Sequence, residues 1–100
     1  QLLLDYGGRD EIVRMENKLL KEGKEKVEEE DLKNFLDTDG IPDPDLIIRT
    51  GGEKRLSGLM PFQSIYSELY FTDIYFPDFG PKDFEEAIID FSGRKRRFGE

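Results

Sequence analysis

The stretch Asp43 to Gly58, DPDLIIRTGGEKRLSG, decides how the chain is read. A short apolar run, Leu46 to Ile48, is bounded by Pro44 on one side and by a loop on the other. Its length and its flanking turn residues predict a strand covered on both faces. The loop that follows carries Arg49, Gly51, Gly52, Lys54, Arg55 and Ser57. Arginine offers a planar fork of donors that matches two phosphate oxygens. Glycines permit the positive-φ backbone of an anion nest. In open α/β sheets, ligands bind beyond the carboxyl ends of strands. The loop therefore reads as a diphosphate site, although it lacks the G-x-x-x-x-G-K-[S/T] pattern of nucleotide triphosphatases. A glycine turn whose arginines pair with acidic neighbours is the alternative reading of the same residues.

Upstream, Leu2 to Leu4 form a second apolar run, ended by Asp5-Tyr6-Gly7-Gly8. From about Arg9 to Lys21, Ile12, Val13, Met15, Leu19 and Leu20 recur at helical spacing, and Gly23 is a natural stop. The segment KEGKEKVEEED reads as a solvated, charge-rich connection. Leu32, Phe35 and Leu36 then predict a short amphipathic helix that Gly40, Pro42 and Pro44 terminate. Strand, helix and strand in this order predict a right-handed crossover and a parallel pair, with Asp5-Tyr6-Gly7 and Arg49-Thr50-Gly51 on one carboxyl edge.

Downstream, SELYFT predicts a third strand and FPDFGP a turn. Pro81 suits the first turn of a last helix, with Phe84, Ala87, Ile88 and Phe91 on one face and Gly93 at its end. The fold class is α/β, a partial and mostly parallel sheet with flanking helices.

Composition bounds the function. A chain of 100 residues holds at most one modest domain with a thin core. Only 36% of residues are hydrophobic against 38% charged, yet eight Phe and four Tyr concentrate apolar area in large side chains. The net charge of −8 has the wrong sign for general nucleic-acid binding. The cations gather in two patches, around Arg49 to Arg55 and at Arg94 to Arg97. There is no Cys and no His. A disulfide framework, a thiolate metal site, a Ser-His-Asp triad and a typical zinc site are thereby excluded within the chain. No apolar run approaches the roughly 20 residues that span a bilayer. The chain opens on QLLLDYGGR, inside an apparent strand and without an initiator Met, so a piece of a longer protein is expected.

Two further features carry candidate chemistry. Glu68, at the start of the third strand, is either a hydrogen-bonded strand-end residue or a ligand for magnesium shared with a substrate diphosphate. The terminal RKRRFGE either complements a helix dipole or forms an arm that reaches an anion.

With these residues in view, the chain resembles the cis-prenyltransferases, the undecaprenyl diphosphate synthase family. YGGR at Tyr6 to Arg9, PDPDLIIRTGGEKRLSG at Pro42 to Gly58, FQSIYSELYFTDIYFPDF at Phe62 to Phe79 and RKRRFG at Arg94 to Gly99 are similar to that family's consecutive C-terminal motifs, in order. The resemblance implies that residues 1–100 are the C-terminal fragment of one catalytic domain. It implies that Arg49, Arg55, Leu56 and Ser57, with Gly51 and Gly52, bind isopentenyl diphosphate, and that Glu68 helps to hold Mg²⁺. It also implies that Arg97-Phe98-Gly99 is the family's Arg-x-Gly tail, reaching a substrate site across a homodimer interface.

The family's Asp-Gly-Asn-Gly-Arg loop, which binds the allylic diphosphate and supplies the essential Asp, has no match here. The expectation is a chain carrying the isopentenyl diphosphate half-site, inactive alone and holding no catalytic residue of its own. Localisation is expected to be cytoplasmic, with membrane contact through a lipid product. The competing readings are a non-catalytic partner subunit of a heteromeric cis-prenyltransferase and a small phosphate-ligand-binding domain.

Overall fold

The structure, a computed structural model, describes residues 1–99. In chain order its elements are α1 (Gly8–Glu22), α2 (Glu29–Phe35), β1 (Leu46–Arg49), β2 (Glu68–Phe71), a short 3₁₀ helix (Phe76–Asp78) and α3 (Pro81–Ser92). The residues divide into two compact units. One joins Gln1–Pro42 with Gly58–Pro61, and the other joins Asp43–Ser57 with the chain from Phe62 onward. No helix among the described residues is long and apolar enough to cross a membrane.

In the first unit, α1 forms where the apolar spacing predicts it and ends at Gly23. Asp10 and Glu11 in its first turn and Lys21 in its last complement the helix dipole. Met15 and Leu19 face inward and, with Leu36, make up a thin apolar core. Glu11 is buried among them at 1% exposure. A buried carboxylate is tolerated only when donors surround it, and two are present. The Tyr6 hydroxyl donates to Oε1 at 2.5 Å, and the Asp37 N–H donates to Oε2 at 2.8 Å. Tyr6 in turn accepts the Met60 N–H at 3.2 Å. Burial, and next the Glu11 carboxylate that takes its hydrogen bond, push the Tyr6 phenol above its ordinary range. Arg14 forks onto both oxygens of Asp37 at 2.6 and 2.7 Å, and this holds the Asp37 carboxyl below the usual range against the opposing effect of burial.

Part of the stretch read as a charged connection is helix. α2 begins at Glu29, and the Asp31 carboxylate accepts the Glu28 N–H at 3.0 Å. Three acidic residues in the first turn suit the positive end of the dipole, a signal that the charge run concealed. The expected strand at Leu2 to Leu4 does not form. Leu2 and Leu4 are 79% and 78% exposed, and an extended segment becomes a strand only with a hydrogen-bonding neighbour, which these residues lack among the described residues. Without a strand at Leu2–Leu4 among the described residues, the first member of the expected parallel pair is missing.

The parallel pair lies instead in the second unit, between β1 and β2, with Leu46 opposite Glu68 and Arg49 opposite Phe71. Backbone bonds continue it at both ends, from Glu68 N–H to the Asp45 carbonyl at 2.9 Å and from Thr72 N–H to the Arg49 carbonyl at 3.0 Å. With one neighbour each, both strands are half-buried along their length rather than covered on both faces. α3 starts at Pro81 as read, with Asp83 accepting the Gly80 N–H at 2.9 Å, and packs on β2. Ala87 is fully buried, whereas Phe84 and Ile88 on the same expected face are 53% and 39% exposed.

One glycine of the first unit is fixed by space. A Cβ on Gly8 would stand 2.0 Å from the Gly58 carbonyl oxygen and 2.7 Å from the Pro61 ring. Its neighbour Gly7 would meet only the Asp10 side chain at an ordinary 3.6 Å. Gly8→Ala should therefore destabilise the protein by about 1–3 kcal/mol, the cost of overpacking against backbone that cannot swing aside. Gly7→Ala should change stability by only a few tenths of that. Urea denaturation of the two variants measures the difference.

Candidate functional site

The loop after β1 is drawn into a closed turn. Arg49, at the carboxyl end of the strand and half-buried, sends Nη1 to Ser57 Oγ at 2.9 Å and to the Arg55 carbonyl oxygen. One guanidinium thus spans the base of the loop and brings Arg49, Arg55 and Ser57 together, with Leu56 half-buried between the last two. Gly51 and Gly52 have φ of +91° and +85°. Their N–H groups donate to the carbonyls of Ile74 and Thr72 at 2.9 and 3.0 Å. The two glycines therefore supply the turn and the absence of a Cβ, while their amide hydrogens tie the loop to the end of β2. These two amides are therefore already engaged.

Arg55 is exposed and pairs with Glu53 at 2.8 Å. An exposed ion pair is worth roughly 0–1 kcal/mol, so a multiply charged anion can displace Glu53 cheaply. Asp73 follows β2 as Arg49's loop follows β1, and its carboxylate would lie 3.3 Å from a Cβ at Gly52. Nothing in the spacing of the sequence points to Asp73. It becomes visible only once β1 and β2 are known to be parallel neighbours, because the residues after both strands then share one edge.

The other predicted residues assemble at the opposite edge. Glu68 opens β2, opposite Leu46, and its Oε2 pairs with Arg94 Nη1 at 3.2 Å. Arg94 also donates to the Leu69 carbonyl at 2.7 Å and pairs with Asp90 at 2.6 Å. The Asp90 and then the Glu68 hydrogen bonds raise its pKa. Arg96 reaches Asp45 Oδ1 at 2.6 Å and the Tyr66 carbonyl at 3.0 Å, and Gly99 packs on the Tyr66 ring. Arg97 is exposed. The structure therefore groups Arg49, Gly51, Gly52, Arg55, Leu56 and Ser57 at the carboxyl edge of the sheet, and Glu68, Arg97 and Gly99 at its amino edge.

The surroundings of Glu68 limit what it can offer a cation. Its carboxylate is the hard oxygen donor that magnesium accepts, but one oxygen already faces Arg94. Among the described residues no three Asp or Glu side chains cluster in a way that could hold a metal. Alone, Glu68 would offer magnesium no more than a single carboxylate ligand.

The site is a parallel sheet edge bearing an arginine-rich loop, the arrangement of an α/β protein, and similarity to known proteins gives its family. The sequence profile of a prenyltransferase family described as "Putative undecaprenyl diphosphate synthase" matches residues 1–99. An isoprenyl transferase of Aquifex aeolicus is 49% identical over 96% of the chain and 42% of its own length. A ditrans,polycis-undecaprenyl-diphosphate synthase of Legionella pneumophila, specific for (2E,6E)-farnesyl diphosphate, is 45% identical over 99% of the chain and 44% of its length.

Two solved structures also superpose. A probable undecaprenyl diphosphate synthase of Campylobacter jejuni does so with a TM-score of 0.85 and 36% identity, over 97% of this chain and 45% of that one. A lavandulyl diphosphate synthase of Lavandula x intermedia, in complex with dimethylallyl diphosphate, gives 0.88 and 36% over 97% and 44%. The chain belongs to the undecaprenyl diphosphate synthase family of prenyltransferases. It spans less than half the length of these relatives.

The loop geometry carries a stability prediction independent of ligand. A Cβ on Gly51 would meet nothing within 4 Å, so Gly51→Ala isolates the cost of the left-handed backbone. That cost is about 1–2 kcal/mol. The variant should lose this amount in chemical denaturation.

Proposed function

We propose that the chain is the isopentenyl diphosphate half of a cis-polyprenyl diphosphate synthase, in which an allylic prenyl group is transferred to isopentenyl diphosphate with release of diphosphate. One observation supports the reading: beyond the carboxyl end of β1, Arg49 closes its loop onto the Arg55 carbonyl and the Ser57 hydroxyl, in a loop whose Arg55 side chain rests on an exposed partner. Arg49, Arg55 and Ser57 hold the acceptor's diphosphate, with Leu56 and the Gly51-Gly52 turn shaping the loop. The acceptor's double bond then attacks the allylic carbon. The carbon–oxygen bond to the allylic diphosphate breaks with its electron pair on the leaving group, and a proton leaves the acceptor. What these residues contribute is positioning of the acceptor, and charge complementarity to its diphosphate. A magnesium ion held in part by Glu68 would neutralise diphosphate charge.

The two edges of the sheet also support a homodimer. Glu68 and the anchor points of the tail, Asp45 and Tyr66, lie at the amino edge, whereas the Arg49 loop lies at the carboxyl edge. The three strand residues that separate them span roughly 10 Å. The tail of one chain is thus held away from its own diphosphate loop, and Arg97 with Gly99 serves the loop of a second copy. The allylic diphosphate and the essential Asp belong to residues outside the matched region, and the chain alone does not turn over. The reaction is placed in the cytoplasm, with contact to the membrane through the polyprenyl product.

Titration of isotope-labelled protein with isopentenyl diphosphate, with and without Mg²⁺, tests this reading. Saturable shifts at Gly51, Gly52, Arg55 and Ser57 are expected. Arg49→Ala should weaken binding by about tenfold to a hundredfold, the worth of a charge-assisted hydrogen bond. Dimethylallyl diphosphate is the control ligand. A folded protein with no shifts, or a nucleotide that displaces isopentenyl diphosphate, would contradict the assignment.

A further inference from the structure

Four cations follow one another from Arg94 to Arg97, and they behave differently. Lys95 and Arg97 are exposed, and Arg94 closes on Glu68 and Asp90. Among the ion-paired arginines described, Arg96 is the most enclosed, with its side chain 20% exposed; its two Nη groups are engaged and its Nε is buried without a hydrogen-bond partner. Its fork spans two segments, Nη1 to Asp45 before β1 and Nη2 to the Tyr66 carbonyl before β2. Its plane also lies 4.5 Å from the centre of the Phe98 ring and 5.9 Å from that of Phe91.

The segment it grips is strained. Phe98 has φ +49°, a region that bulky side chains avoid, and Gly99 follows at +88°. Such a conformation persists only where the surroundings hold it. Here the Phe98 ring meets Tyr66 edge-on at 5.9 Å, and a Cβ on Gly99 would come within 3.3 Å of the Tyr66 ring. Arg96 supplies the third side of this clamp, stacking on Phe98 while bonded to the carbonyl of the residue Phe98 packs against.

We propose that Arg96 is a positioning residue: it presets the Phe98-Gly99 turn before any ligand arrives, and so fixes the place of Arg97 between them without touching the diphosphate itself. The inference rests on the proposed function for the part played by Arg97. Its chemistry explains why a planar fork stands at this position. Lysine carries the same charge but can neither span Asp45 and Tyr66 nor stack on Phe98. An exposed Asp45 partner adds little, so the carbonyl bond and the ring contacts carry the hold.

The test uses the intact protein with Arg96→Met, Arg96→Lys, Arg97→Ala and the Arg96→Met/Arg97→Ala double variant. Ligand-free Overhauser contacts between the Phe98 and Tyr66 rings report the turn, and calorimetry with isopentenyl diphosphate reports affinity. Arg96→Met should erase the ring contacts, leave the Gly51 and Ser57 signals in place, and weaken binding by about tenfold to a hundredfold, as a misplaced binding group does. Arg96→Lys should not restore either readout. The double variant should bind no more weakly than Arg97→Ala, because Arg96 acts through Arg97.

Ring contacts that survive in Arg96→Met would overturn the proposal. So would a double variant whose loss equals the product of the two single losses. If the unaltered protein does not bind isopentenyl diphosphate, the proposed function falls, and the ring contacts alone still decide whether Arg96 sets the turn.

Discussion

Everything at the candidate site depends on the parallel pairing of Leu46–Arg49 with Glu68–Phe71. Parallel strands put like ends together. The turns after both strands, with Gly51-Gly52 bonded to Thr72 and Ile74, therefore meet at one edge. The residues before both strands, Asp45 and Tyr66, meet at the other, where Arg96 joins them. An antiparallel pairing of the same two segments would have mixed these groups. The sheet thus sorts the chain's cations into a loop that can face an anion and a tail held some strand-length away.

That sorting reconciles an acidic chain with the diphosphate site proposed for it. The net charge of −8 is a property of the whole surface, and most of the acidic excess lies before Asp45. At the carboxyl edge the local balance is set by Arg49, Lys54 and Arg55 against Glu53 and Asp73. Arg49 is committed to the geometry of the loop through Ser57, while Arg55 rests on an exposed partner that an incoming anion can replace. One arginine gives the loop its shape and the other keeps its charge available.

Much of this was legible in the sequence because it is written in local signals. The spacing of Ile12, Met15 and Leu19, the stop at Gly23, the run Leu46–Ile48 and the start at Pro81 depend on neighbours a few residues away, and each element forms where those signals lie. Leu2–Leu4 carry the same apolar signal as Leu46–Ile48, but a strand is a pairing rather than a composition, and no local pattern names the partner. The charge run before Leu32 hid the first turn of α2, since acidic residues at a helix start look like a solvated linker until the helix is seen. The site residues followed the same division. Arg49, Arg55 and Ser57 sit in one stretch and could be read together, whereas the Glu68–Arg94 pair, the Arg96 clamp and the nearness of Asp73 to Gly52 join residues that only the topology brings together.

In the proposed function, the loop at one edge and the tail at the other belong to the same site only between two copies. Mixing Arg49→Ala protein with Arg97→Ala protein tests it most directly, with isopentenyl diphosphate binding as the readout. In a mixed dimer one composite site receives both defects and the other receives none. Subunit exchange between two poorly binding preparations should then create tight sites, about a quarter of the total under random pairing. A mixture that binds no better than its two components after exchange would place the tail and the loop of each site on one chain, and would contradict the account.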